Sequence, residues 1–213
     1  MSRLDELKTT MGRRFARLVT VAVTRAPGLW PLFRRALRLQ FHTLAPNWDR
    51  IVNPEHVASY ERALEAVEPP RRALDLGTGT GAGAFTIARR FPEAEVIGAD
   101  LAEGMVEQAR RKIPPGLAGR VRFEVADASR LPYEDGAFDL VGLSNMIPFF
   151  DELARVTAPG GTVVIAFSSG ADTPIYVPSE RLRAELSRRG FSEFADFEAG
   201  NGTALLARKA KAA

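Results

Sequence analysis

Four glycines stand at alternate positions, 77 to 83, in the stretch ALDLGTGTGAGAF (residues 73–85). Glycine loses more chain entropy on ordering than any other residue, so four in one short turn imply an approach too close for side chains. An apolar run, Ala73 to Leu76, precedes the turn and a helical pattern, Phe85 to Phe91, follows it. A strand, a glycine turn and a helix starting near Ala82 place a ligand site at the strand's carboxyl end, with bare backbone and free helix N–H groups facing it. The spacing fits two templates: Gly77, Gly79 and Gly81 read as G-x-G-x-G, and Gly77, Gly79 and Ala82 satisfy the dinucleotide pattern. The turn says that a cofactor binds and leaves open which.

Three aspartates narrow the choice. Asp100 closes the second candidate strand, about 20 residues after the first glycine, where a carboxylate accepts from two ribose hydroxyls. Asp127, in VADAS (125–129), closes the third. It suits an exocyclic adenine amine, with backbone N–H groups nearby for a ring nitrogen. Asp75 lies inside the first strand, where a carboxylate between Leu74 and Leu76 is costly unless paired. A ligand ammonium can pair it. Any one of these acids reads equally well as a turn residue; three ending neighbouring strands at one sheet edge do not.

Bringing them together takes a sheet. Short apolar runs at 72–76, 95–99, 121–125, 138–143 and 162–167 alternate with helical patterns at about 82–91, 103–112 and 149–157. That alternation predicts parallel βαβ units in a doubly wound α/β sheet. After a helix at about 179–189, runs at 194–199 and 203–208 flank Gly200-Asn201-Gly202, an antiparallel hairpin. Ahead of the sheet lies a helical arm. Residues 1–26 carry a stripe of Phe15, Leu18, Val19, Ala22 and Val23, ended by Pro27-Gly28. A second helix presents Trp30, Phe33, Leu37, Phe41 and Leu44 on one face, and a third runs from Pro54 to Val67. Pro69-Pro70 separates the arm, residues 1–68, from a cofactor-binding domain, residues 69–213.

Composition excludes several chemistries. The absence of cysteine among 213 residues removes disulfides, thiolate metal sites and cysteine nucleophiles, and two histidines are too few for a histidine-rich metal site. No metal is expected. The net charge of +3 is uneven: residues 1–50 hold ten Lys and Arg against three Asp and Glu, giving +7, and the remainder is −4. The longest early apolar stretch, Leu18 to Val23, is far short of the roughly 20 residues of a membrane span, and shorter than a signal-peptide core. A cytoplasmic location is expected.

The chain resembles the class I S-adenosylmethionine-dependent methyltransferases, in particular the type 11, small-molecule subgroup. The likeness covers about residues 71–169 and rests on ALDLGTGTG (73–81), VIGADLAEGMVEQAR (96–110), VRFEVADASRLPYEDGAFDLVGLSNM (121–146) and APGGTVVIAF (158–167). It implies a Rossmann-like seven-stranded sheet of order 3-2-1-4-5-7-6, with the last strand antiparallel, and S-adenosylmethionine as methyl donor with S-adenosylhomocysteine as product. Position by position, Asp75, Gly77, Thr78, Gly79 and Gly81 would surround the methionine moiety. Asp100 would hold the ribose, Leu101 and Met105 the adenine face, and Asp127 and Ala128 the adenine edge. Ser144, Asn145 and Met146 would lie near the sulfonium and the substrate. Leu101 and Met105 read equally as core residues.

Methyl transfer from a sulfonium is an in-line displacement in which positioning supplies most of the catalysis. Candidates for a base, should the acceptor need one, are His42, His56, Tyr60, Asn145 and Tyr176. The segment SNMIPF (144–149) stands where amino-methylating members carry NPPY, which argues against nucleic-acid and protein amides as substrates. APNWD (45–49) looks like the aromatic-Asp segment ahead of the core in small-molecule members and places Trp48 at the mouth of the cofactor pocket. Trp48, Met146 and Tyr176 are the expected substrate contacts, and the acceptor is expected to be small and apolar or aromatic. The basic arm has three further uses: lid, homodimer interface, or peripheral membrane contact. Competing readings are a methyltransferase acting on RNA or protein through that arm, an NAD(P)-dependent oxidoreductase, and a non-catalytic cofactor-binding protein.

Overall fold

The computed structural model describes residues 3–52 and 54–211. Met1 and Ser2 of the predicted first helix lie outside the described residues, as do the last two of the chain. Among the described residues seven strands form one sheet: β1 (Arg72–Leu76), β2 (Glu95–Asp100), β3 (Val121–Val125), β4 (Phe138–Ser144), β5 (Thr157–Phe167), β6 (Phe191–Ala199) and β7 (Gly202–Lys209). Their order is β3-β2-β1-β4-β5-β7-β6. The first five run parallel, and β7 is antiparallel to both β5 and β6. Order and direction both follow the sequence expectation.

Apolar residues on both faces explain the parallel core, because helices cover each side. On one face Ala73, Val96, Leu140 and Val164 pack against α4 (Ala58–Leu64), α5 (Ala82–Arg90) and α6 (Glu103–Arg111). On the other, Leu74, Ile97, Val141 and Val163 meet α7 (Phe150–Val156) and α8 (Ser179–Ser187). The strand period of two assigns adjacent residues to opposite cores.

The arm consists of α1 (Arg3–Arg25), α2 (Trp30–Leu44) and a single turn, α3 (Trp48–Ile51), ahead of α4. The third predicted helix, over 54–67, is shorter in the structure, with a 3-10 turn over Pro54–Val57 before α4. Grouped with the arm by sequence, α4 packs against β5, β6 and β7 and buries Tyr60, Ala63 and Leu64 in the main core. Tyr60 fits because residue 142 is glycine; a Cβ there would stand 1.6 Å from the phenol oxygen. Among the described residues no helix is long and apolar enough to cross a membrane, and no group of three or more His, Asp or Glu is placed to hold a metal.

Candidate functional site

The strand ends β1 to β4 converge on one edge, where order reverses between β1 and β4; ligands of open α/β sheets bind at such a point. The loop from β1 to α5 takes positive φ at Gly77 (+65°), Gly79 (+54°) and Gly81 (+98°). A Cβ on Gly77 would lie 2.8 Å from the Met146 sulfur, and one on Gly79 would lie 3.3 Å from the Trp48 indole nitrogen. The bare backbone at these two positions therefore faces flexible side chains from two other segments. Gly81 differs. Its Cβ would strike the rings of Phe85 and Phe123 at 2.9 and 2.8 Å, so its bareness serves the packing of α5 on β3 rather than a ligand.

Asp75 is 2% exposed, and the protein itself supplies hydrogen-bond partners for it. Thr78 Oγ1 donates to Oδ2 at 2.6 Å, the Tyr60 hydroxyl donates to Oδ1 at 3.4 Å, and the Ala84 N–H donates as well. Burial dominates and raises the carboxyl to about 7 against those hydrogen bonds. Asp75 and Thr78 thus brace the glycine turn. Burial, and after it the charge and hydrogen bond of Asp75, likewise push the Tyr60 hydroxyl up, which removes Tyr60 as a base.

Asp100 ends β2 with Oδ2 accepting from the Gly79 N–H and Oδ1 from the Ala102 N–H, each at 2.9 Å. Burial raises its pKa, and the N–H donors of Ala102, Gly79 and Leu101 pull the other way. A carboxylate has about four lone-pair sites, so positions remain for further donors. Asp127 is half-buried after β3. Its Oδ1 accepts from the Ser129 N–H (2.9 Å), the Ser129 hydroxyl (2.7 Å) and the Trp30 indole N–H (2.9 Å), and Oδ2 meets Arg34 at 3.1 Å. Burial works against the charge, but Ser129, Arg34 and Trp30 outweigh it and hold the pKa below the usual carboxylate range.

The arm therefore reaches into the site. Trp30 packs edge-on against Phe149 at 5.1 Å, in a cluster with Val19, Val23 and Ile147 against which Leu101, Ala128 and Met146 also pack. Trp48 packs edge-on against Phe41. Asp49, beside it, accepts from Thr80 Oγ1 at 2.6 Å and pairs with Lys112. Burial opposes the Asp49 charge, and the Lys112 and Thr80 bonds still hold its pKa down. The sequence does not mark Arg34 or Thr80 as site residues, and it offers Trp30 only as an aromatic of the arm. Only the NWD spelling in the sequence hinted at Asp49, and nothing local marked Trp30 as a hydrogen-bond donor to an acid 97 residues away.

Three expected residues, Met105, His42 and Asn145, have other occupations. Met105 is 1% exposed and sits with Ala45 and Ala102 beneath Trp48, a core position. His42 Nδ1 accepts from the Gly104 N–H at 3.1 Å and so caps the first turn of α6. The Asn145 amide clasps Ser168, with Nδ2 donating to Oγ and Oδ1 accepting from N–H, both at 2.9 Å, while its backbone takes a φ of +52°. Asn tolerates that conformation better than most residues. Its amide is thus spent on tying β4 to the end of β5. Tyr176 packs edge-on against Phe167 at 5.2 Å, and its hydroxyl has no partner among the described residues. The Ser144 hydroxyl, at the end of β4, is buried with no hydrogen-bond partner among the described residues.

The match to known proteins points the same way as the geometry. Residues 73–161 match a family model described as a methyltransferase domain. The chain is 34% identical over 157 residues to a ubiquinone/menaquinone biosynthesis C-methyltransferase of Geotalea daltonii, covering 67% of this chain and 66% of the relative. It is 38% identical over 144 residues to a malonyl-[acyl-carrier protein] O-methyltransferase of Halorhodospira halophila, covering 62% and 48%. The chain spans about half to two thirds of the length of such curated relatives. Among solved structures, phosphoethanolamine N-methyltransferase 2 of Haemonchus contortus with bound S-adenosyl-L-methionine shares the fold at a TM-score of 0.59 and 18% identity, over 73% of this chain and 52% of that one.

Proposed function

We propose that this chain, which belongs to the class I S-adenosylmethionine-dependent methyltransferases, transfers a methyl group from S-adenosylmethionine to a small apolar or aromatic acceptor at the carboxyl edge of β1 and β4. The observation that carries the reading is the pairing of a bare glycine turn with acids ending neighbouring strands. Gly77 and Gly79 are shielded by side chains alone, and Asp100 lies 2.9 Å from the Gly79 nitrogen.

The donor set fits the cofactor. Asp100 has acceptor capacity left for ribose hydroxyls, Asp127 already accepts from a planar aromatic N–H as it would from an adenine amine, and the buried Ser144 hydroxyl lacks a partner. The cofactor supplies an electrophilic methyl on sulfur. The chain's own task is then to orient and to exclude water, by closing Trp48 and Met146 over the turn. Tyr60, His42 and Asn145 are committed elsewhere, and His56 interacts with the Asp49 charge, which favours an acceptor nucleophilic without a strong protein base, such as an electron-rich ring carbon or a carboxylate oxygen. Tyr176, whose hydroxyl is unpaired, remains to orient it. Where the adenine amine takes the place of the Trp30 N–H on Asp127, arm movement accompanies cofactor entry.

Calorimetry with S-adenosylhomocysteine and with NAD tests the class. Micromolar binding of the first and none of the second is expected; the reverse overturns the reading. Methyl transfer from labelled donor to quinol-like and carboxylate acceptors then separates the acceptor types.

A further inference from the structure

We propose that the outward face of the α1–α2 pair docks on an anionic lipid surface. Of the eight large apolar residues exposed among the described residues, seven lie between Phe15 and Ile51. Leu18 is 70% exposed, Leu32 73% and Leu39 66%. A scattered exposed leucine needs no explanation, but a concentration on one pair of helices does. The spacing organises it. Arg14, Leu18, Val21 and Arg25 follow one stripe of α1, and Leu32, Arg35 and Leu39 follow one stripe of α2. Both stripes face away from the buried Val19, Val23 and Trp30 that hold the arm to the sheet edge.

Arg14, Arg25, Arg35 and Arg38 have no acidic partner among the described residues. Arg13 and Arg17, by contrast, are spent on the carbonyls of Asp172 and Ala171 and fasten α1 to the body. Apolar stripes flanked by unpaired guanidiniums match a bilayer interface, with leucines at the acyl boundary and arginines among anionic headgroups. Charge decides against a second copy as the occupant. Face-to-face pairing would oppose two segments that each carry ten Lys and Arg against three Asp and Glu, a net of +7 on either side. Neither helix is long and apolar enough to span, so the pair lies on the surface. The proposal does not depend on the methyl acceptor or on cofactor binding.

Sedimentation of the full chain with vesicles tests it, comparing phosphatidylcholine alone with phosphatidylcholine plus phosphatidylglycerol at rising salt. Binding only to the anionic vesicles, weakening with salt, is expected. Arg14→Gln, Arg25→Gln and Arg35→Gln should each weaken it about fivefold. The triple change Leu18→Glu, Leu32→Glu, Leu39→Glu should abolish it while the circular dichroism melt is unchanged, since all three are exposed. Absent vesicle binding overturns the proposal, as does equal binding to both vesicle types. So does a leucine variant that turns a dimer into a monomer by ultracentrifugation and leaves vesicle binding intact.

Discussion

Trp30→Phe separates the two claims on Asp127. The substitution keeps a ring against Phe149 and deletes one N–H, the donor 2.9 Å from Asp127 Oδ1. A hydrogen bond to a charged acceptor contributes about 1.5–3 kcal/mol. Asp127 is half-buried and keeps its Ser129 and Arg34 donors, so the lower end applies, about 1.5 kcal/mol. If the docked arm and the adenine amine compete for this carboxylate, stability lost by the docked state reappears as cofactor affinity. S-adenosylhomocysteine should then bind about tenfold more tightly to the variant in calorimetry. Fluorescence gives a second readout, because the chain has two tryptophans. In a Trp48→Phe background the remaining Trp30 emission should shift red on saturation, as the buried indole moves into water. Unchanged affinity would refute competition. Weaker binding would refute it differently, by making Trp30 part of the cofactor contact.

Asp100→Ala should weaken S-adenosylhomocysteine binding at least about tenfold, the loss of about one charge-assisted hydrogen bond, with far-ultraviolet circular dichroism retained; an unchanged Kd removes Asp100 from the site. The buried Asp75 carboxyl, raised from 3.8 to about 7, holds a proton in the folded state over a range where the unfolded chain has released it. Its stabilisation is therefore full at acid pH, falls by about 1.4 kcal/mol per pH unit between those two values, and is flat above them. Asp75→Asn should flatten that slope in urea titrations, and an unaltered slope would place the titration near an ordinary carboxylate. Gly142→Ala should destabilise by about 1–3 kcal/mol through overpacking against the Tyr60 hydroxyl, 1.6 Å from the new carbon. Tyr60→Phe in the same chain should recover part of the loss, and full stability of the single variant would show that Tyr60 can move aside.

What was legible in the sequence was what short-range physics fixes. Apolar runs of strand length separated by amphipathic helices set β1 to β5, and Gly200-Asn201-Gly202 set the final hairpin. Asp75, Asp100 and Asp127 fall at adjacent strand ends because strand length and order dictate it. The contacts that the sequence did not reveal share a cause: residue type tells what a side chain can bond, not which partner lies beside it. Asp75 suits an ammonium, yet Thr78, three residues on, satisfies it within the turn. His42 suits a base, yet lies beside the orphan N–H groups that begin α6. Gly81 suits a ligand, yet two phenylalanines fill the space. Trp30 fitted an apolar helical stripe, and its indole nitrogen became meaningful only once α2 was laid across the end of β3.

The same arm has an inner and an outer face, and the two are thermodynamically joined. Inside, Trp30 and Arg34 hold Asp127, and the Asp49 carboxylate beside Trp48 holds Thr80. Outside, leucines and unpaired arginines face solvent. A ligand acting on either face shifts the arm only by its differential affinity for the docked and released positions. Where a lipid surface favours release, cofactor affinity rises by the same factor that the cofactor raises lipid affinity, because coupling of two binding equilibria is reciprocal. A lipid surface that binds both positions equally would hold the protein without tuning it. Titrating S-adenosylhomocysteine with and without saturating anionic vesicles distinguishes these cases: a shift in Kd measures the coupling, and identical curves mean that the outer face anchors the chain while Trp30 alone governs the crevice.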